Sequence, residues 1–197
     1  MFSGLARLVR GELAQLKLRQ MWHLAAGLVV AVAALFGGLD SVDAKPKVVS
    51  VGQAYSDGEF TLTVRGAVAV KDVQAGLRVI APAEPGHVYL GLITTIRNDG
   101  TIPARLADEF DLRDQPQKRF TGVFRIDDGS YLSGLGPKLT EKAAFLWKLP
   151  QSAIAPGSSV TVRVWQKKFT EMLVTYGKDW LASETSYAQI TLPVVKK

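Results

Sequence analysis

The sequence predicts an all-β fold for most of the chain, an antiparallel β-sandwich of two sheets spanning residues 58–197. Apolar and polar residues alternate with period two in three segments, and turn-forming sequences separate these segments from their neighbours. No helical periodicity of comparable strength appears after residue 45. Roughly seven to nine short strands joined by turns are typical of such a sandwich.

The strands are placed by this alternation, because successive side chains of a strand point to opposite faces of its sheet. The clearest alternation gives inward positions at Phe60, Leu62 and Val64, along Val88–Ile96, and at Val160, Val162 and Val164. Weaker candidates are Val48–Val51, Phe110–Leu112, Arg119–Ile126, Ala143–Leu149 and Tyr187–Leu192. Turns are predicted at Asp57-Gly58, Asn98-Asp99-Gly100, Asp127-Asp128-Gly129 and Pro156-Gly157.

Two segments lack clear alternation. Ser133–Lys142 and Thr170–Ala182 are the places where we expect a loop or one short helix.

An uncharged and largely apolar segment, residues 20–39, precedes the predicted sandwich. A helix of this length rises ~1.5 Å per residue and spans ~30 Å, the thickness of a bilayer's hydrocarbon core. Basic residues lie before the segment, whereas the first charges after it are Asp40 and Asp43. The positive-inside bias therefore predicts one transmembrane helix, with the N-terminus cytoplasmic and the C-terminal domain extracytoplasmic.

Residues 1–19 are predicted to form a basic amphipathic helix on the inner leaflet, because their apolar residues recur at helical spacing. The expected membrane-interface residues are Arg7, Arg10, Lys17, Arg19 and Trp22. The segment RLVRGELAQLKLRQMW resembles the stretch before the first membrane helix of some export-type ATP-driven permeases. That resemblance implies a transporter subunit as partner, and an ordinary basic flank without a protein partner remains the alternative.

The apolar segment is interpreted as a retained anchor. A signal peptide core usually has ~7–15 residues, and this run is longer and follows a long basic segment. Val42, Asp43 and Ala44 nevertheless suit a signal peptidase site. Secretion after cleavage near Ala44 is therefore the alternative.

Composition excludes several kinds of site. The chain has no cysteine, which excludes disulfides, thiolate metal sites and cysteine nucleophiles. The only histidines are His23, inside the apolar segment, and His87, so neither a Ser-His-Asp triad nor a histidine-rich metal site is expected. The net charge of +6 comes from scattered basic residues, and an exported domain of this kind is not expected to bind nucleic acid.

A family resemblance rests on IRNDGTIPARLADEFDLRD, the Asp128-Gly129 dipeptide and IAPGSSVTVRV. These segments resemble the bacterial, chiefly actinobacterial, immunoglobulin-like extracellular domain of unknown function that includes a secreted immunogenic mycobacterial antigen. The family's Asn and Gly turn, its Phe-x-Leu element and its Pro-Gly turn fall on Asn98 and Gly100, on Phe110 and Leu112, and on Pro156 and Gly157. The resemblance implies a surface or secreted immunoglobulin-like sandwich without established catalysis. The segment Gln115–Leu139 is longer than the family pattern.

Carboxylates form the densest polar group. Asp108, Glu109, Asp111 and Asp114 offer the oxygen ligands that Ca²⁺ prefers, but their spacing lacks the Gly and the distal Glu of a helix-loop-helix calcium site. A polar strand edge is therefore preferred to a metal site. Asp127 and Asp128 are interpreted as turn formers, and a glycosidase acid–base pair drawn from either group stays the least favoured alternative.

The candidate interaction surface consists of Trp165, Arg163, Lys167 and Lys168. On the alternation above, Arg163 and Trp165 point away from the valines at 160, 162 and 164. Exposed Trp and Arg commonly anchor protein interfaces. Burial of Trp165 under the segment Thr170–Ser186 is the alternative.

The sequence thus predicts a cytoplasmic helix over 1–19, a transmembrane helix over 20–39, a linker with a first strand over 40–57 and an immunoglobulin-like domain over 58–197. The expected role is binding, as an accessory or sensor subunit of a transporter or envelope complex, with membrane lipid and a protein as partners. No cofactor and no catalytic residues are expected. A secreted binding protein is the alternative, and a wall hydrolase is the least favoured.

Overall fold

The computed structural model describes residues 46–113, 115–155, 157–171 and 177–197, together with His23. Within these ranges, no helix combines the length and hydropathy needed to cross a bilayer. The predicted helices over 1–19 and 20–39, and the interface residues Arg7, Arg10, Lys17, Arg19 and Trp22, lie outside the described residues.

The described part of Ala44–Lys197, which forms a unit of its own, is built from strands. In chain order they are β1 (Lys47–Val48), β2 (Ala54–Ser56), β3 (Phe60–Val70), β4 (Val73–Ala75), β5 (Arg78–Ala81), β6 (His87–Asn98), β7 (Ala104–Arg105), β8 (Asp111–Leu112), β9 (Arg119–Arg125), β10 (Gly134–Leu135), β11 (Thr140–Pro150), β12 (Ser159–Glu171) and β13 (Lys178–Lys196). A 3-10 turn, Gln151–Ala153, joins β11 to β12. The predicted all-β class is confirmed.

The main sheet follows the order β8-β12-β13-β3-β6-β11-β9, while β4 pairs with β5 and β7 pairs with β10 in two small sheets. The long strand β13 links two parts of this arrangement. It pairs antiparallel with β12 along most of its length, and its last residues, Val194–Lys196, run parallel to Ala67–Ala69 of β3. β1 pairs with β13 and β2 pairs with β3, so the sandwich begins before residue 58.

The core forms where the predicted inward faces meet. Val160, Val162 and Val164 of β12 are buried in one cluster with residues of β3, β6 and β11, which include Phe60, Leu92 and Phe145. Burying such side chains stabilises the fold by about 1.5–3 kcal/mol each. The predicted alternation in β3, β6 and β12 is therefore confirmed as the pattern of a two-layer core.

The outer face of β6 departs from that pattern. Tyr89 and Gly91 are buried as well as their neighbours Val88 and Leu90, because the hairpin of β4 and β5 packs over this face. Because both faces of β6 are covered, its sequence is a nearly continuous run of apolar residues.

One local prediction is corrected. In Thr170–Ala182 the described residues other than the bend at Gly177 are strand, paired across β12 and β13 with the rings of Phe169 and Trp180 at 5.1 Å. In Ser133–Lys142, a turn between β10 and the start of β11 agrees with the predicted loop.

The turn at Asn98 uses no positive φ. Its buried Asn98 side chain instead donates to Ile102 O and Leu135 O and accepts from Gly100 N, which holds three backbone groups together.

Candidate binding recess

A buried lysine surrounded by three carboxylates is the most unusual feature of the domain. Lys167 Nζ lies 2.8 Å from Glu59 Oε2, 2.5 Å from Glu109 Oε2 and 3.4 Å from Asp57 Oδ2. The side chains of Asp57 and Glu109 are fully buried, and that of Lys167 is 14% exposed. Buried charges persist only when they are paired and hydrogen-bonded, so this acid cluster is a built feature of the fold.

The β2–β3 turn brings two of the acids, Asp57 and Glu59, to the lysine. Asp57 Oδ1 accepts hydrogen bonds from the backbone N–H groups of Glu59 and Phe60, which fixes the turn. Lys167 N donates to Asp57 O at 2.6 Å, and a Cβ on Gly58, whose φ is +114°, would lie 2.3 Å from Lys167 O. Only glycine permits so close an approach of the turn to β12.

Neighbouring side chains complete the environment of the acid cluster. Gln166 Nε2 donates to Asp57 O, and its Oε1 accepts from the hydroxyl of Tyr55. Lys167 Nζ also lies 4.6 Å from the ring centre of Phe60. The ammonium is therefore held between carboxylates and an aromatic face, an arrangement that favours its charged form.

The acid cluster is short of hydrogen-bond donors. Among the described residues, Asp57 Oδ2 and Glu109 Oε1 are buried without a hydrogen-bond partner. Burial and the nearby charge of Asp57 raise the pKa of Glu109 well above its ordinary value, against the opposing effect of Lys167. A proton held on Glu109 lets the carboxyl groups of Glu109 and Asp57 hydrogen-bond to each other.

Lys167 itself stays charged. Burial alone would lower its pKa, but the carboxylates of Glu109 and Asp57 outweigh burial, and the pKa of Lys167 is raised. Lys167 therefore supplies the fixed positive charge that the three acids share.

A recess of about 660 Å³ opens beside this acid cluster. Glu59, Glu109 and Lys167 line one part of it. The remaining lining comes from Ile102–Arg105 with Asp108, and from Asp179, Trp180 and Ala182 of β13. Its volume falls in the range of small-molecule sites, about 300–1,000 Å³.

Trp180 is fixed as one wall of the recess. Its ring packs against Phe169 across the β12–β13 pair. A Cβ on Gly100 would lie 3.4 Å from Trp180 Nε1, so the turn after β6 also approaches this ring closely. The aromatic wall is therefore braced from two sides.

The residues of the predicted interaction surface are divided by the structure. Trp165 is half-buried against Tyr187 at 5.0 Å, and the guanidinium of Arg163 lies over the same Tyr187 ring at 4.9 Å. Lys168 is exposed. Lys167 does not point outward with them but enters the acid cluster, because the β12–β13 register shifts after Trp165 and the Lys167 N–H bonds to Asp57 instead.

The carboxylates considered as a calcium site do not converge. Glu109 bonds Lys167, Asp108 lies exposed at the recess and Asp111 pairs with Lys118 at 2.7 Å, while Asp114 lies outside the described residues. Within the described ranges, no group of three or more acidic or histidine side chains is arranged to hold a metal ion. Asp128 caps its own turn by accepting from Ser130 N, which lowers its pKa.

Comparisons with known proteins bear on the fold. No protein-family model and no curated protein matches the chain. An uncharacterized β-sandwich protein from Clostridium difficile 630 is similar at 17% identity and a TM-score of 0.52, covering 77% of this chain and 97% of that one. At that identity the likeness shows the fold alone, and the chain is a β-sandwich.

Two further solved structures are less similar. A conserved hypothetical protein from Bacillus anthracis has 15% identity and a TM-score of 0.36, with 57% of this chain and 87% of that chain covered. YcdA from Bacillus subtilis has 9% identity and a TM-score of 0.38, with 71% of this chain and 38% of that chain covered.

Proposed function

We propose that this chain is a membrane-anchored extracytoplasmic binding protein, whose immunoglobulin-like sandwich binds a ligand in the recess beside Lys167. The recess is the observation that carries the binding role. It joins a braced aromatic wall to the charged side chains of Glu59, Asp108 and Asp179, and ligand sites combine apolar walls with a few placed polar groups.

The location is argued from the sequence. The uncharged segment 20–39 and the basic residues before it support a single-pass anchor with the sandwich outside the cell. Membrane lipid would contact residues 1–39, and a transporter or envelope subunit would be the protein partner that the accessory or sensor role requires. Secretion after cleavage near Ala44 is the alternative.

A hydrolase is a weaker candidate. Glu109 and Glu59 would have to act as acid and base on a bond placed between them, but Lys167 bonds both of them and fills that space. Glu109 is also fully buried, so a glycosidic oxygen cannot reach its carboxyl group. The geometry therefore favours binding.

The localisation test uses the full chain in its native membrane with a different epitope tag on each terminus. We expect the full-length mass in the membrane fraction, the C-terminal tag accessible to protease on whole cells and the N-terminal tag accessible only after lysis. A shortened C-terminal product in the medium would support the secreted alternative. Full-length protein in the cytosol, or a C-terminal tag protected in whole cells, would refute the proposal.

A further inference from the structure

We propose that the recess binds an organic cation, a primary ammonium carried on an apolar chain. This inference rests on the proposed binding function and names the chemistry of its ligand. Three features of the recess support it: its charge, the partly exposed carboxylate of Glu59 and its aromatic wall.

The recess is negative in a chain that is positive overall. Neither Asp108 nor Asp179 forms an ion pair within the described residues, and both are exposed at the recess. Even if Glu109 is counted as neutral, the carboxylates of Asp57, Glu59, Asp108 and Asp179 outnumber the two cations at the site, Arg105 and Lys167. A cation is therefore attracted and an anion repelled.

One acid of the cluster is accessible from the recess. Glu59 lines the recess with its side chain 10% exposed, whereas the side chains of Glu109 and Asp57 are fully buried. An ammonium entering the recess carries three N–H donors and can donate a charge-assisted hydrogen bond to the Glu59 carboxylate. A metal ion would serve less well, because Lys167 occupies the point at which the three carboxylates converge.

Another part of the recess lining is apolar. Trp180 presents an aromatic ring, and Ile102 and Pro103 add aliphatic surface. Aromatic faces attract ammonium groups, and the aliphatic surface suits the chain that carries the charge. A neutral polyol would use neither the charge nor the apolar wall.

The experiment measures binding to the full-length chain in detergent, by calorimetry and ligand-observed NMR. The probe is pentylammonium, with pentanol as the neutral analogue and pentanoate as the anionic one. A second arm uses Nα-acetyl-lysine methylamide, which presents the same ammonium as the side chain of a peptide. We expect saturable binding of pentylammonium at one site, and no saturation by pentanol or pentanoate.

Substitutions of residues that line the recess test the proposed ligand without removing a side chain of the hydrophobic core. The double variant Asp108→Asn/Asp179→Asn should weaken pentylammonium binding about tenfold at low salt, and Trp180→Leu about threefold. Asp127→Asn, an exposed acid that does not line the recess, is the matched control and should leave binding unchanged.

The two ammonium probes distinguish the source of the ligand. Tighter binding of pentylammonium supports a free amine, and tighter binding of the lysine amide supports a lysine-bearing peptide. Ammonium binding no stronger than that of pentanol, or binding unaffected by the double variant, overturns the inference. Either result would leave the outcome of the epitope-tag experiment unchanged, so the proposed localisation and the proposed ligand chemistry are tested independently.

Discussion

Replacing Lys167 with methionine should destabilise the domain more than any other single charge removal among the described residues. Methionine fills a similar volume but leaves the carboxyl groups of Asp57, Glu59 and Glu109 without their cation. Asp57 and Glu109 are fully buried, so water cannot take the place of the ammonium. The acids must then take up protons or move apart.

The expected loss follows from this burial. Removing one partner of a buried ion pair typically costs about 3–5 kcal/mol, because an uncompensated charge stays buried. A domain of this size is stable by about 5–15 kcal/mol, so the variant should lose a large share of its stability. Lys148→Met is the matched control, because Lys148 Nζ lies 2.8 Å from one carboxylate, Glu84 Oε2, whose side chain is 43% exposed. The two lysines themselves are similarly exposed, at 14% and 18%, so the two cases differ in the number and the burial of the carboxylates.

The assay is equilibrium urea denaturation followed by tryptophan fluorescence at pH 7, with Lys167→Met, Lys148→Met and the double variant Lys167→Met/Glu109→Gln. The double variant keeps the measurement possible if the single variant does not fold, because the Glu109→Gln change removes one of the buried acids left without their cation. We expect a large loss for Lys167→Met, partial recovery in the double variant and little change for Lys148→Met. Equal effects of the two lysine replacements would refute the reasoning from burial.

Three further predictions concern residues around the acid cluster. Burial raises the pKa of Glu109, so this group stabilises the domain fully below its ordinary value of 4.5 and loses that contribution as pH rises through the raised value. In urea titrations at several pH values, the free energy of unfolding of Glu109→Gln should therefore rise relative to that of the wild type by up to about 1.4 kcal/mol per pH unit across that window. A difference that stays constant with pH would contradict this prediction. Gly58→Ala should cost about 3 kcal/mol by the same assay, since a Cβ would meet Lys167 O at 2.3 Å, whereas Gly52→Ala, with positive φ but open space, should cost about 1 kcal/mol. Asn98→Ala should lower stability by about 3 kcal/mol, because three buried hydrogen bonds are lost, and a change below about 1 kcal/mol would show that other groups replace them.

The core of the sandwich was predictable because burial and strand periodicity point to the same residues. Val160, Val162 and Val164 alternate in the sequence and are buried together in the structure. The short pairings β4–β5 and β7–β10 were not predicted, since strands of two to four residues carry too few alternations to stand out. Their positions depend on the longer strands that they pack against.

The candidate recess was harder to predict, because its residues come from distant parts of the sequence and each has an ordinary local explanation. Asp57-Gly58 has the sequence of a turn, and the turn is real: Asp57 Oδ1 accepts two backbone N–H groups. The same residue turns its other oxygen toward a lysine more than a hundred residues away. One signal was present in the sequence, the pairing of Asp57 with a following Gly58 and Glu59, but nothing local indicates which cation they meet.

The position of Lys167 shows why alternation fails at this site. Counting by twos from Val164 places Lys167 on the outer face with Trp165, and regular pairing with β13 would keep it there. The register shift after Trp165 removes that constraint, and the Lys167 N–H bonds to Asp57 O instead of to β13. The turn approaches closely enough for this bond because residue 58 has no side chain. A glycine in the β2–β3 turn and a pairing irregularity between β12 and β13 thus act together to bring Lys167 from the outer face to the buried carboxylates beside the recess.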